Sequence, residues 1–232
     1  MKTLAIIPAR AGSKGVKDKN LRSLKGKPLI SYTIECAKES KRINEIIIST
    51  DHPEIAMLAE SSGVKVIHRP AELAEDHSPI TDVIEHTLIE LKKQDKEFDI
   101  VLLLQPTAPF RTSDDIDTVI EMFGDPDSPE GVVSVVQLSD VHPARMYKMN
   151  REQHLTSFLP EFENARRQEL PPLYFRNGCI YAARTNAFIK EGTLMVKNMK
   201  AYIMPAEWLV NIDSERDLLI AESIYDLWMK QE

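Results

Sequence analysis

Five short aliphatic runs limit the possible folds of this chain more than any other feature. They are residues 4–8 (LAIIP), 45–49 (EIIIS), 64–68 (VKVIH), 100–105 (IVLLLQ) and 131–136 (GVVSVV). A strand that is apolar on both alternating faces has no side to turn toward water. It belongs inside a sheet that is covered above and below, as parallel sheets are. Between the runs lie amphipathic stretches at 29–39, 54–61, 81–93 and 114–123, and Thr112 with Asp115 reads as a capping box opening the last of them. Strand–helix alternation of this kind predicts an α/β fold with a doubly wound, mostly parallel sheet and right-handed crossovers.

The rhythm breaks after Val136. Residues 137–170 are polar and punctuated by proline, yet they keep Met146, Tyr147, Leu155, Phe158 and Phe162. A solvated linker has no use for such side chains, so this stretch reads as an inserted extension of a single domain spanning 1–232. The alternation then resumes, with strands expected at 175–183 and 200–204 and a short helix at 185–190. A final helix is expected at 214–229, opened by a second capping box from Ser214 to Asp217.

Composition excludes several classes of function. The only cysteines are Cys36 and Cys179, too few for a disulfide framework or a thiolate metal cluster. No apolar run approaches the roughly 18 residues of a membrane span, and the first strand begins too early for a secretory signal. The chain is therefore expected to be cytoplasmic, with no membrane partner. Its net charge of −7 speaks against a nucleic-acid partner, which requires a basic surface.

One stretch opposes that acidic balance. Residues 9–27 carry seven basic side chains against a single acid, Asp18, so the stretch is +6 and the remainder −13. It follows the first strand directly and contains Gly12 and Gly15. Backbone N–H groups and lysines after a buried strand suit a bound polyphosphate. The spacing matches neither Gly-x-x-x-x-Gly-Lys-Ser/Thr nor Gly-x-Gly-x-x-Gly, which disfavours a P-loop and a dinucleotide cofactor. A loop that is merely solvated is the alternative reading. Ligands of open α/β sheets bind at the carboxyl ends of the strands. There the sequence places polar clusters at 10–20, 49–51, 69–70 and 105–111.

The sequence from Ile7 to Gly15 (IPARAGSKG), followed by Lys19-Asn20, resembles the signature of the acylneuraminate cytidylyltransferases, or CMP-sialic acid synthetases. The likeness continues in order through Ser49-Thr50-Asp51, residues 69–74 (RPAELA), 105–111 (QPTAPFR), Arg167-Gln168, 177–181 (NGCIY) and Asn211-Ile212-Asp213. It implies a Rossmann-like nucleotidyltransferase fold that transfers CMP from CTP to the anomeric hydroxyl of an acidic nine-carbon 2-keto sugar, with release of pyrophosphate. It also implies a homodimer joined through the 137–170 extension. Both reactants are anions, so positioning and charge stabilisation carry the chemistry.

The resemblance assigns Arg10, Lys19 and Asp213 to the catalytic centre. Gly12, Ser13, Lys14 and Gly15 join them around the triphosphate, while Asn20, Arg69 and Ser78 take the cytidine. Relatives often carry a hydroxyl where this chain has Ile80. The sugar acid falls to Gln105, Arg167, Gln168, Asn177 and Tyr181. In strand alternation Asn177, Cys179 and Tyr181 would share a face, with Cys179 as small-residue packing. Arg111 either pairs with Asp114 or Asp115 or reaches the ligand. Mg²⁺, or Mn²⁺, is expected on Asp213. Relatives present Asp-x-Asp here, so Asn211 adds only a neutral carbonyl. The alternatives are a synthetase for another acidic sugar such as Kdo, or a non-catalytic nucleotide-binding relative.

Overall fold

The computed structural model describes residues 1–12, 15–125, 127–138 and 141–230. Its eleven strands are β1 (Thr3–Pro8), β2 (Ser23–Leu24), β3 (Lys27–Pro28), β4 (Glu45–Thr50), β5 (Lys65–His68), β6 (Ile100–Leu103), β7 (Gly131–Leu138), β8 (Tyr147–Met149), β9 (Leu155–Ser157), β10 (Leu173–Arg184) and β11 (Met199–Met204). The helices are α1 (Leu29–Glu39), α2 (Pro53–Ser61), α3 (Ile80–Lys92), α4 (Ser113–Glu121), α5 (Thr185–Glu191) and α6 (Glu215–Trp228). Seven strands form the central sheet in the order β11-β7-β10-β6-β1-β4-β5. All of its pairings are parallel except the two made by β10, which runs against β6 and β7.

The apolar runs are buried on both faces, as their composition requires. Ala5 and Ile7 of β1 face one core, with Ile30 and Ile34 of α1, Ile55 of α2 and Val119 of α4. Leu4 and Ile6 face the other, with Ile84 and Leu91 of α3 and Phe188 of α5. Each such aliphatic side chain stabilises the fold by roughly 1.5–3 kcal/mol on burial. Helix α6 forms a third layer, with Leu218 and Ala221 packed against Leu29, Tyr32 and Phe110.

Both expected capping boxes are present. Thr112 Oγ1 accepts from the Asp115 N–H while the Asp115 carboxylate accepts from the Thr112 N–H, and Ser214 and Asp217 repeat the arrangement. Each box satisfies two backbone donors that a helix start leaves unpaired.

Several expected boundaries move. The β6 strand ends at Leu103, so Gln105 lies in the following loop. The β10 strand is twelve residues long, and its register against β7 shifts between Arg176 and Tyr181. That irregularity breaks the expected alternation. Cys179 packs in the core beneath α1 and α4, while Tyr181 packs against the core on the opposite face. The extension holds the β8–β9 hairpin, and its Tyr147, Met149, Leu155 and Phe158 are exposed.

Candidate active site

Chain order runs outward from β1 to β4 and β5, then returns to β6 on the other side of β1. The carboxyl ends of β1 and β6 therefore flank a topological switch point, where open α/β sheets bind ligands. A cavity of about 500 Å3 lies there. Arg10, Gly15, Lys19 and Asn20 reach it from the loop after β1, and Arg69, Asp76, Ser78 and Ile80 from the segment after β5. Gln105 and Thr107 enter from the loop after β6, and Asp213 from the turn before α6.

The cations of this cavity are held rather than loose. Arg10 Nη2 donates to Asp76 Oδ1 at 2.5 Å and Nη1 to the Ala74 carbonyl at 3.2 Å. Lys19 Nζ donates to Asp213 Oδ1 at 2.7 Å, with the lysine side chain 13% exposed and the carboxylate 69%. Lys19 opens a 3-10 turn whose preceding residue, Asp18, adopts left-handed backbone geometry (φ 49°). Asp51, at the end of the β4 cluster, anchors the same loop by accepting the Ala11 N–H at 2.8 Å.

Arg69 is buried. Its Nη2 donates to the Ser49 carbonyl at 2.8 Å, and among the described residues no carboxylate forms a salt bridge with it. Burial lowers its pKa to about 10, with Arg10 pushing the same way and Asp51 opposing. The guanidinium thus stays charged at neutral pH, and its fork is fixed against the sheet end.

Two glycines fit because they lack a side chain. A Cβ on Gly15 would stand 2.1 Å from the Asp213 carbonyl oxygen. The loop after β1 therefore lies directly on the backbone of the Asp213 turn, and no L side chain can replace Gly15. Gly178, at φ +81°, would place a Cβ 3.3 Å from both Gln105 Oε1 and Asn211 Nδ2. Those two amides close on either side of it.

Of the sequence-predicted residues, Arg10, Gly15, Lys19, Asn20, Arg69, Ser78, Gln105 and Asp213 line one cavity. Gly12 turns at φ +70° outside its lining, and Ser13 and Lys14 lie outside the described residues. Arg167 and Gln168 line a separate cavity with Gln137, His142 and Pro171. Asn177 points into the core, 3% exposed, and does not line the main cavity. Its Nδ2 donates to Met204 Sδ and its Oδ1 accepts from Ser134 and from the Cys179 N–H. Tyr181 is half-buried against the α3–α5 core and does not line the main cavity. Burial pushes the Cys179 thiol up to about 11, which suits packing and not nucleophilic attack.

Sequence reasoning misplaced Arg111. It pairs with neither Asp114 nor Asp115. It is 1% exposed, and its Nη1 donates to the carbonyls of Ala108 (3.0 Å) and Cys179 (2.8 Å) and its Nη2 to that of Gln105 (3.0 Å). It staples the β6 loop to β10. Asp76, which holds Arg10, was missed altogether. Its only sequence signal was a carboxylate seven residues after Arg69 in a segment already suspected of lying near the nucleotide.

A cationic cavity at the switch point of a doubly wound sheet suits an anionic ligand. The chain belongs to the cytidylyltransferase family, whose model matches residues 4–231. It is 34% identical to the CMP-N,N'-diacetyllegionaminic acid synthase of Legionella pneumophila, over 98% of this chain and 97% of that protein. It is 33% identical to an N-acylneuraminate cytidylyltransferase of Streptococcus agalactiae, over 94% of this chain and 52% of the relative, so it spans about half that relative's length. A solved CMP:2-keto-3-deoxy-manno-octonic acid synthetase complexed with CTP shares the fold. The TM-score is 0.71 at 20% identity, covering 98% of this chain and 99% of that one. Among the described residues, no helix is long and apolar enough to cross a membrane.

Proposed function

We propose that this chain transfers CMP from CTP to the anomeric hydroxyl of a sialic-acid-like nonulosonic acid. One observation carries the reading: Arg10, Lys19, Asn20, Arg69, Gln105 and Asp213, drawn from four separate segments, line a single cavity at the sheet's switch point. The kinship to proteins named for sialic and legionaminic acids supports the class of sugar.

In this reading the anomeric oxygen attacks the α-phosphorus in line, the bond from that phosphorus to the β-phosphate bridge breaks, and pyrophosphate leaves. The sugar hydroxyl's proton passes to solvent, since no side chain of the cavity stands out as a dedicated base. Arg10 and Lys19 neutralise the triphosphate by exchanging Asp76 and Asp213 for phosphate oxygens. Cationic groups placed where charge develops are the largest contribution available to phosphoryl-type transfer. Arg69 and Asn20 hold the cytidine with fixed donors, and Gln105 faces the sugar.

The residues present fit a Mg²⁺ ion or its Mn²⁺ substitute. Mg²⁺ is held by one or two carboxylates together with substrate phosphates. Asp213 offers one exposed carboxylate beside the phosphate-side lysine, and Asn211 offers only an amide. When bound, the metal would lower the pKa of the sugar hydroxyl and offset phosphate charge.

The extension is assigned to a homodimer contact. Its exposed Tyr147, Met149, Leu155 and Phe158 form an apolar surface, and it also carries Arg167 and Gln168, which stand apart from the main cavity within one chain. Leu155→Glu together with Phe158→Glu is expected to convert a dimer to a monomer by light scattering. An unchanged mass for the double variant removes the extension from the interface.

The function is tested by pyrophosphate release from CTP and Mg²⁺ with a panel of 2-keto sugar acids: N-acetylneuraminate, legionaminate, pseudaminate and Kdo. Turnover is expected with at least one nonulosonic acid. Turnover with Kdo alone moves the assignment to an eight-carbon acid, and CTP binding without turnover on any acid defeats the enzymatic reading.

A further inference from the structure

Ser134 is an anomaly in its strand. The β7 strand reads GVVSVVQL, and Ser134 sits at its centre with no exposure. A hydroxyl buried among valines costs stability unless it is hydrogen-bonded. Ser134 Oγ donates to Asn177 Oδ1 at 2.6 Å and accepts from the Ile180 N–H at 2.8 Å, and the Ile180 carbonyl lies 3.1 Å away. Every partner belongs to the irregular part of β10, between Arg176 and Tyr181. Asn177 completes the arrangement by accepting the Cys179 N–H at 3.2 Å.

A bulge next to a site re-aims the residues it carries. Here it carries Gly178, seated between the side chains of Gln105 and Asn211. Arg111 ties the same bulge, through the Cys179 carbonyl, to the Gln105 loop. Gln105 also lines the cavity, arriving from the loop after β6 and not from the basic loop.

We infer that Ser134 is a positioning residue for the acceptor-sugar side of the cavity: with Asn177 it holds the β10 bulge that sets Gly178 against Gln105 and Asn211. It touches no reactant itself. The inference rests on the proposed function for the identity of the acceptor, and the hydroxyl's effect is directional. Its own hydrogen bonds go only to the β10 bulge, and none of its partners comes from the Arg10–Lys19 loop.

Ser134→Ala is the first test. The KM for the sugar acid is expected to rise about tenfold, the order of one lost buried hydrogen bond, while the KM for CTP and the calorimetric CTP affinity stay within about twofold. Amide hydrogen exchange across residues 176–183 is expected to quicken, with the 9–20 loop unchanged. A folded Ser134→Ala protein with unaltered sugar KM overturns the inference. So does an equal loss for both substrates, which marks a general structural role. If Ser134→Ala does not fold, Gly178→Ala decides in the same way. Its methyl group would stand 3.3 Å from Gln105 Oε1 and Asn211 Nδ2 and would strain the positive-φ turn that Ser134 and Asn177 hold, so it must raise the sugar KM selectively. The exchange and CTP-binding readouts need no sugar. If the wild-type chain turns over no acid, the proposed function fails, while the effect on the bulge is still measured separately.

Discussion

Gly15→Ala is expected to reduce CTP-dependent turnover by at least about 100-fold, because a reacting group displaced by about 1 Å loses that much. The added methyl carbon would lie 2.1 Å from the Asp213 carbonyl oxygen, and that oxygen belongs to backbone and cannot swing aside. The loop must then lift away from the turn before α6. Lys19 leaves Asp213, and the two sides of the cavity that this pair joins separate. Gly15 itself is exposed, but its neighbour Val16 is 1% exposed, so lifting the loop also disturbs packing there. The variant's melting temperature is expected to fall by several degrees, since overpacking costs about 1–3 kcal/mol and each kcal/mol shifts a domain of this size by about 2–4 °C. Steady-state kinetics with thermal unfolding on the same preparation checks this. Near-normal turnover in Gly15→Ala shows that the close approach to Asp213 is dispensable.

Lys19→Ala is expected to lower kcat by about 100- to 1,000-fold, the usual cost of deleting one preorganised donor from a site of developing negative charge. Lys19 is the most enclosed of the cavity's ion-paired cations, 13% exposed against 29% for Arg10. Its ammonium therefore acts in a less screened environment. Arginine should not rescue it, because a planar fork does not replace a compact point charge on Asp213. Circular dichroism and thermal unfolding should show an intact fold, since the ion pair is largely solvent-facing on the carboxylate side. A Lys19→Ala enzyme that turns over at the wild-type rate excludes this lysine from the mechanism.

Much of the architecture was legible because its signals are local. The 29–39 helix was read to the residue, and both capping boxes were visible as Thr112–Asp115 and Ser214–Asp217. The continuous apolar runs announced a sheet covered on both faces, and alternate residues of β1 do enter opposite cores. The β10 segment was less legible. Its sequence alternates plausibly, but the register shift against β7 is a relation between two strands and leaves no local mark. The fate of Asn177, turned inward to Ser134, follows from that shift.

The site shows the same division. Charge density alone singled out the 9–27 stretch, because seven basic residues in an acidic chain oppose the overall balance. Ordered motifs singled out Arg69, Gln105 and Asp213. Which carboxylate faces which cation was invisible, since Asp76 and Asp213 lie 66 and 194 residues from Arg10 and Lys19. Arg111 read either as a partner of Asp114 or Asp115 or as a ligand contact. The tertiary structure buries it instead, where its Nη1 and Nη2 donate to three carbonyls and to Thr33 Oγ1.

By itself the sequence determined the class of fold and the cationic character of the loop after β1, because apolar periodicity and net local charge are properties of neighbouring residues. Only the tertiary structure decided that Gly15 must be glycine against Asp213, that Arg111 is a staple, and that Asn177 serves Ser134. These depend on contacts of a few ångströms between segments far apart in the chain, which the order of strands in the sheet sets.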